Sequence, residues 1–299
     1  MSEAMSVDDA CRAIRGSVNA RRPGVLVVGS GLLRQLGFGP FADWSTLMHE
    51  IACELGVPYD EKLSRHQPTL HWEAILAKAA RMHGEPAFKI EERAQRHVQS
   101  LVQVAERRLD DEAYRSLAKS TRVRSVVTLN FTAAPFVGGG DGRLVDSRVP
   151  YVELDNRVVW CPHGNARRPE TIGLGVRKYV RMLRLLEDLR GSYKMALRES
   201  VRKQPPKEVA REPNFMEHVL GSPLVFAGCG LHHAEWTLWW LLANKTRNEA
   251  RHATSPSIYL AGKPVDDELS SALESMNCKV VEVRGHPAVW EAVTMALKP

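Results

Sequence analysis

The sequence lacks long hydrophobic runs and any regular cysteine pattern. No stretch approaches the ~18–20 consecutive apolar residues of a membrane span, and residues 1–20 are charged, without the apolar segment of a secretory signal. The five cysteines form no C-x-x-C pair; they are Cys11, Cys53, Cys161, Cys229 and Cys278. This pattern disfavours both a disulfide framework and a zinc ribbon. We therefore expect a soluble, cytoplasmic protein that makes no contact with a membrane.

A single strongly basic segment is also absent, although the net charge is +6. Acidic residues alternate with basic ones through residues 91–115, and the densest basic run, residues 177–202, is typical of the solvated face of helices. Nucleic acid is therefore disfavoured as the main ligand. A DNA-associated assembly subunit nevertheless remains one alternative.

Uninterrupted apolar runs at residues 24–28 and 223–227 predict strands that are buried on both faces, and residues 124–130 also have strand character. Weaker strands are predicted at 149–152 and 158–161, and two further strands at 257–261 and 278–283. Residues 70–120 have helical periodicity throughout. Strands separated by helices predict an α/β fold, a Rossmann-like parallel sheet with helices on both faces. The long helical block predicts an inserted helical layer or subdomain.

We predict a single domain over residues 1–299. Its Rossmann-like core spans 24–54 and 121–299, and the inserted helical subdomain spans 55–120. Asp43 or Ser45 is expected to cap a helix that runs to about residue 55. Further helices are predicted over 176–203, 235–243 and 287–297, with a linker at 204–207. The apolar segment 236–242 favours a buried helix over a stacking platform, and a subunit interface is a third possibility.

Four strand ends carry chemically distinctive residues. They are Gly29-Ser30-Gly31, Asn130-Phe131-Thr132, Cys161-Pro162-His163-Gly164-Asn165 and Gly228-Cys229-Gly230. In open α/β sheets, ligands bind beyond the carboxyl ends of the strands. We therefore expect these four segments to converge on one site, with the strands that end at Val28, Leu129 and Ala227 as neighbours.

The glycines at the first strand end would allow the backbone to approach a pyrophosphate closely. The dinucleotide fingerprint needs a third glycine at position 34, which is Arg34 here, so a hydride-transferring Rossmann domain is disfavoured. A tight turn that merely needs glycine remains the alternative. His163 can accept a proton near neutral pH, and the Asn130 amide can donate and accept hydrogen bonds. A structural histidine and a loop-capping amide are the corresponding alternatives.

Together these segments resemble the sirtuin-like domain of NAD-hydrolysing effectors in bacterial anti-phage defence. The family's motifs are a G-A-G-x-S-type loop, G-x-P-x-W-x-x-L, T-x-N-[YF]-D, an H-G pair and a late G-[YF]-[SG]-L-x-D loop. Their counterparts lie in the same order, at Gly29-Ser30-Gly31, residues 37–47, residues 128–132, His163-Gly164 and residues 228–231. The likeness covers roughly residues 24–283.

The resemblance implies hydrolysis of NAD⁺ at the nicotinamide–ribose bond, without a metal. It implies that Asn130 and His163 are catalytic. It also implies a set of cofactor-binding residues: Gly29, Ser30, Gly31, Thr132, Gly228, Cys229 and His233. Deacylating sirtuins carry a four-cysteine zinc module that this chain cannot build, so the resemblance favours NAD⁺ cleavage over deacylation.

The sequence departs from the family at three positions. Thr132 and His233 stand where the family has acids, with Glu235 two residues further on, and Ser30 replaces an alanine. The alternative is therefore a non-catalytic sensor that binds NAD⁺ or ADP-ribose and controls a partner protein. In either case we expect a homo-oligomer, a separately encoded sensor or activator protein, or both, with nucleic acid involved only indirectly.

Overall fold

The computed structural model describes residues 4–109, 112–138, 142–155, 157–202, 214–231, 235–249 and 256–298. Within them, eight strands form one sheet in the order β3-β4-β5-β2-β1-β6-β7-β8. The strands are β1 (Gly24–Val28), β2 (Val123–Thr128), β3 (Arg143–Val145), β4 (Tyr151–Leu154), β5 (Arg157–Trp160), β6 (Leu224–Ala227), β7 (Ser257–Ala261) and β8 (Cys278–Glu282). The predicted α/β class is confirmed.

The centre of the sheet is parallel, as predicted. β1 lies between β2 and β6, and Val28 is in register with Thr128 on one side and Ala227 on the other. All five residues of β1 are buried, because helices cover both faces of the sheet. The three strand ends therefore lie side by side, and their predicted adjacency is confirmed.

One edge of the sheet is antiparallel, which the sequence analysis did not predict. β4 pairs antiparallel with both β3 and β5. Only two residues connect Leu154 at the end of β4 to Arg157 at the start of β5, and Asp155 has a left-handed φ of 47°. A connection this short can join only antiparallel neighbours, since a parallel pair needs a long crossover.

The described part of the chain contains thirteen α-helices. They are α1 (Val7–Ser17), α2 (Ser30–Gln35), α3 (Trp44–Glu54), α4 (Glu61–His66), α5 (Pro68–His83), α6 (Ala87–Glu106), α7 (Glu112–Lys119), α8 (Ala134–Val137), α9 (Val176–Arg202), α10 (Phe215–Gly221), α11 (Trp236–Glu249), α12 (Asp267–Ser275) and α13 (His286–Leu297). Asp43 caps α3 by accepting a hydrogen bond from the Thr46 N–H. None of the helices described here has the length and hydrophobicity of a membrane span.

The helices cover the two faces of the sheet and its carboxyl edge. α1, α7, α8 and α13 pack on one face, and α9 to α12 pack on the other. A third apolar cluster joins α3, α5 and α6 to the loops that follow β2 and β5, through Phe131, Ala166 and Ile172. This helical layer therefore lies where the strand ends converge.

Three details differ from the sequence expectations. α7 packs on the sheet rather than in the helical layer, because Tyr114, Leu117 and Ala118 join the core cluster that includes Trp290. α2 begins directly after β1, and the sequence did not predict this helix. α11 is not buried all round: Trp236, its first residue, is 62% exposed. The linker predicted at residues 204–207 lies outside the described residues.

Candidate functional site

A cavity of about 320 Å³, called cavity A here, opens at the carboxyl edge of the sheet. The ends of β1, β2 and β6 and the loop after β5 all contribute to its lining, as the sequence predicts for a site. These segments contribute Gly29, Ser30, Leu129, Asn130, Phe131, His163, Cys229, Gly230 and Leu231. The helical layer closes the opposite side with Trp44, Ser45, Leu47, Ser64, Pro68 and Thr69. Glu235 and Leu238, at the start of α11, complete one wall.

Three of the predicted cofactor-binding glycines bring the ends of β1 and β6 into backbone contact. A Cβ at Gly29 would lie 2.4 Å from the Gly228 carbonyl oxygen, and one at Gly31 would lie 2.7 Å from the Gly228 Cα. The Gly31 N–H also donates to the Gly228 carbonyl oxygen at 2.9 Å. Glycine is therefore required here for packing. Gly29 and Ser30 line cavity A, whereas Gly31 and Gly228 are not among its lining residues.

Asn130 lies at the floor of cavity A and is almost fully buried. Its Nδ2 donates to the Gly29 carbonyl oxygen at 3.1 Å, and its backbone N–H donates to Thr128 Oγ1 at 3.2 Å. These bonds tie the end of β2 to the end of β1. The Nδ2 bond fixes the orientation of the amide and leaves Oδ1 with no hydrogen bond to the described residues. Oδ1 is therefore the atom available to a ligand hydroxyl or a water.

The loop after β5 holds His163 in a fixed position. Gly164 has a φ of +97°, and a Cβ there would lie 2.3 Å from the Thr171 carbonyl oxygen. The Gly173 N–H donates to the His163 carbonyl oxygen at 2.8 Å. The imidazole Nε2 is buried and has no hydrogen-bond partner, and burial lowers the pKa of His163 to about 4. At neutral pH the ring is therefore uncharged.

Glu235 faces His163 across the wall of cavity A. Its Oε2 lies 3.7 Å from His163 Nε2, and Oε2 is likewise buried without a hydrogen-bond partner, although 31% of the side chain is exposed. Burial raises the pKa of Glu235 to about 7. The Tyr179 ring packs against the His163 ring with their centroids 5.3 Å apart. A base, an acid that titrates near neutrality and a phenol therefore meet at one point.

The sequence analysis assigned no role to Glu235 or Tyr179. The available signal was weak: Glu235 is an acid directly before an apolar helix, and Tyr179 is one of many residues in a basic amphipathic segment. Their approach to His163 depends on the packing of α9 and α11 on the same face of the sheet. Local sequence patterns carry no information about that approach.

Two other predicted cofactor-binding residues make only internal contacts in the structure. The Thr132 hydroxyl donates to Glu106 and accepts from the Ala134 N–H at 3.0 Å, and Thr132 does not line cavity A. Cys229 does line the cavity, but its thiol donates to the Val27 carbonyl oxygen at 3.5 Å, and burial raises its pKa. The thiol is therefore neutral and unreactive. His233 lies outside the described residues.

The replacement Glu235→Gln should stabilise the protein at alkaline pH. Because the pKa of Glu235 is raised from 4.5 to about 7, the folded state binds more protons than the unfolded state between these values. The wild type therefore loses stability as pH rises through this window, whereas glutamine stays neutral. We expect equal stability at about pH 4, below the unfolded-state pKa, and a gain of about 2 kcal/mol for the variant above pH 7, after allowing for partial exposure. Urea unfolding of both proteins at several pH values measures this difference. A pH-independent difference would contradict the raised pKa.

No group of three or more His, Cys, Asp or Glu side chains in the described ranges is arranged to hold a metal ion. The polar side chains that meet in cavity A include an amide, a neutral imidazole, a carboxyl group and a phenol. Comparison of the chain with family models and with curated proteins finds no match.

Proposed function

We propose that this protein hydrolyses NAD⁺ by cleaving the bond between nicotinamide and the ribose C1′. The observation that carries the proposal is the pairing of His163 Nε2 with Glu235 Oε2, two buried atoms without hydrogen-bond partners, beside Asn130 in one cavity. Buried polar atoms are rarely left without partners, and the exceptions are concentrated at functional sites. The motif resemblance to sirtuin-like effectors supplies the choice of substrate.

The proposed reaction needs a leaving group, a water molecule and a base. Departure of neutral nicotinamide leaves an oxocarbenium-like ribose, which water attacks at C1′. Asn130 Oδ1 would accept a hydrogen bond from a ribose hydroxyl or from this water. His163 would accept the proton that the water releases, and the nearby Glu235 carboxylate would stabilise the resulting imidazolium. The products are ADP-ribose, nicotinamide and one proton.

The rest of NAD⁺ would extend along the ends of β1 and β6. Gly29 and Ser30 line cavity A at the start of α2 and would lie beside the pyrophosphate. Gly230 and Leu231 line the same side of the cavity. In the cell, this activity would deplete NAD⁺ in the cytoplasm, under the control of self-association or of a separately encoded activator protein.

The direct test is the release of nicotinamide. Purified protein, alone and with the products of neighbouring genes, is incubated with NAD⁺, and the nucleotides are separated by chromatography. We expect ADP-ribose and nicotinamide to appear in equal amounts. Intact NAD⁺ under every condition, together with tight binding by calorimetry, would replace hydrolysis with the sensor function. Absence of binding as well would reject both functions.

A further inference from the structure

A second cavity, called cavity B here, lies on the other side of His163 and Tyr179. It has a volume of about 290 Å³ and lies between the turn after β3, the loop after β5 and the first turns of α9. His163, Gly173 and Tyr179 line both cavities and so form a wall between them. The proposed reaction in cavity A makes no use of the remaining lining of cavity B.

The lining of cavity B carries an excess of positive charge. Its cations are Arg148, Arg168, Lys178 and Arg181, against the acids Asp146 and Glu170. Both acids are already paired with one cation: the Arg168 guanidinium binds Asp146 through Nη1 and Glu170 through Nε, the latter at 2.8 Å. Arg168, Asp146 and Glu170 together therefore carry a net charge of −1. Three further cations therefore face the cavity, which gives the lining a net charge of +2.

These remaining cations have few protein partners. Lys178 Nζ donates to the Glu170 carbonyl oxygen at 3.1 Å, which does not neutralise its charge. Arg148 and Arg181 make no ion pair or hydrogen bond with the described residues. Arginine presents a fork of N–H donors that matches a phosphate, so two unpaired guanidinium groups and one ammonium favour an anion with several oxygens.

Part of the lining of cavity B is apolar. Pro150, Pro162, Met182 and Leu185 line it, and Met182 and Leu185 also pack against the main core. Its volume is close to the lower limit of ~300 Å³ for small-molecule sites. A cavity lined by both cations and apolar side chains suits a ligand that has a charged head and a less polar body.

We propose that cavity B is a second binding site, which takes a small phosphomonoester of about mononucleotide size. Arg148, Lys178 and Arg181 bind the phosphate, and the body of the ligand packs against Met182 and Leu185. The ligand reaches the His163–Tyr179 ring pair from the side opposite cavity A. The His163 and Tyr179 side chains therefore separate this binding site from the site of the proposed reaction. The ligand can bind in cavity B whether or not that reaction takes place.

Calorimetry at low ionic strength with AMP as the probe and adenosine as its uncharged counterpart tests the site. We expect AMP to bind and adenosine to bind much more weakly. Arg181→Glu should weaken AMP binding by about tenfold or more, because it replaces attraction with repulsion. Arg184→Glu is the matched control: it makes the same charge change on α9, but Arg184 does not line cavity B.

A third variant separates the two cavities. Gly230 lines cavity A and not cavity B, and a Cβ there would meet no atom within 4 Å, so the indole of Gly230→Trp can enter cavity A and leaves cavity B intact. We expect this variant to bind AMP as the wild type does. Loss of AMP binding in Gly230→Trp would place the ligand in cavity A and overturn the proposal. Equal losses in Arg181→Glu and Arg184→Glu, or no preference for AMP over adenosine, would overturn it too.

Discussion

His163→Ala should lower the rate of NAD⁺ hydrolysis by about 10²–10⁴-fold, the usual contribution of a general base. The neutral, buried Nε2 has no hydrogen-bond partner, so its removal deprives the reaction of a proton acceptor without breaking a structural hydrogen bond. The backbone bond from Gly173 to the His163 carbonyl oxygen is retained, so the loop should keep its shape. Initial rates of nicotinamide release, measured together with the melting temperature, check this expectation.

His218→Ala is the matched control for a buried, uncharged imidazole. Burial also lowers the pKa of His218 to about 4, and its Nδ1 likewise lacks a hydrogen-bond partner, but the ring packs against Trp160 and does not line cavity A. This variant should keep the wild-type rate within a few-fold. A loss of less than about tenfold in His163→Ala would reject a catalytic role on this scale. Equal losses of rate in both variants would show that the effect of His163→Ala comes from altered packing.

Asn130→Ala should also abolish most of the hydrolysis, and it should have a structural effect that His163→Ala lacks. Its Nδ2 bond to the Gly29 carbonyl oxygen joins two strand ends, so truncation removes a buried hydrogen bond, at a cost of about 0.5–1.5 kcal/mol, while the Leu32 N–H still donates to that oxygen. We therefore expect a large loss of rate together with a measurable loss of stability in thermal or urea unfolding. Wild-type activity in a destabilised variant would show that Asn130 has only the structural role.

Gly230→Trp should abolish NAD⁺ binding, because the indole would occupy the cavity that the dinucleotide needs. The position has open space beyond its Cα and lines cavity A, so the side chain can enter without displacing backbone. We expect affinity to fall by more than about 100-fold, since most of a ligand's contact surface lies within its pocket. Calorimetric titration of the variant and of the wild type with NAD⁺ measures this loss of affinity.

Gly191→Trp provides the control for adding a large aromatic side chain. Gly191 is exposed on α9, and a Cβ there would also meet no atom within 4 Å. This variant should bind NAD⁺ as the wild type does. Undiminished binding in Gly230→Trp would show that the dinucleotide occupies some other part of the molecule.

Much of the fold could be predicted because its central strands are apolar on both faces. The runs at β1, β2 and β6 have few alternatives to a buried parallel sheet, and their adjacency follows from the way such sheets are wound. The short α2 could not be predicted, since its six residues make fewer than two helical turns, too few to show an amphipathic pattern. The antiparallel edge depends on a two-residue connection that local hydrophobicity does not reveal.

The candidate site could be predicted only in part. The ends of strands can be predicted from the sequence, so Asn130 and His163 could be chosen as candidates because they lie at the ends of buried strands. The role of Thr132 depends on Glu106, a residue of the helical layer, and this contact exists only in the tertiary structure. The carboxyl group beside His163 was missed for the same reason: Glu235 precedes a helix that starts far along the chain.

The glycine contacts between the ends of β1 and β6 also restrict how this protein can change during evolution. Any side chain at Gly29 or Gly31 would overlap the backbone at Gly228, so the contact tolerates no substitution at these positions without a shift of main chain. Mutations that alter ligand preference must therefore accumulate elsewhere around cavity A. The helical layer lines the cavity with partly exposed side chains, such as Trp44, Ser45 and Thr69, whose size can vary. We expect a mutational scan to find one side of the cavity invariant and the other permissive.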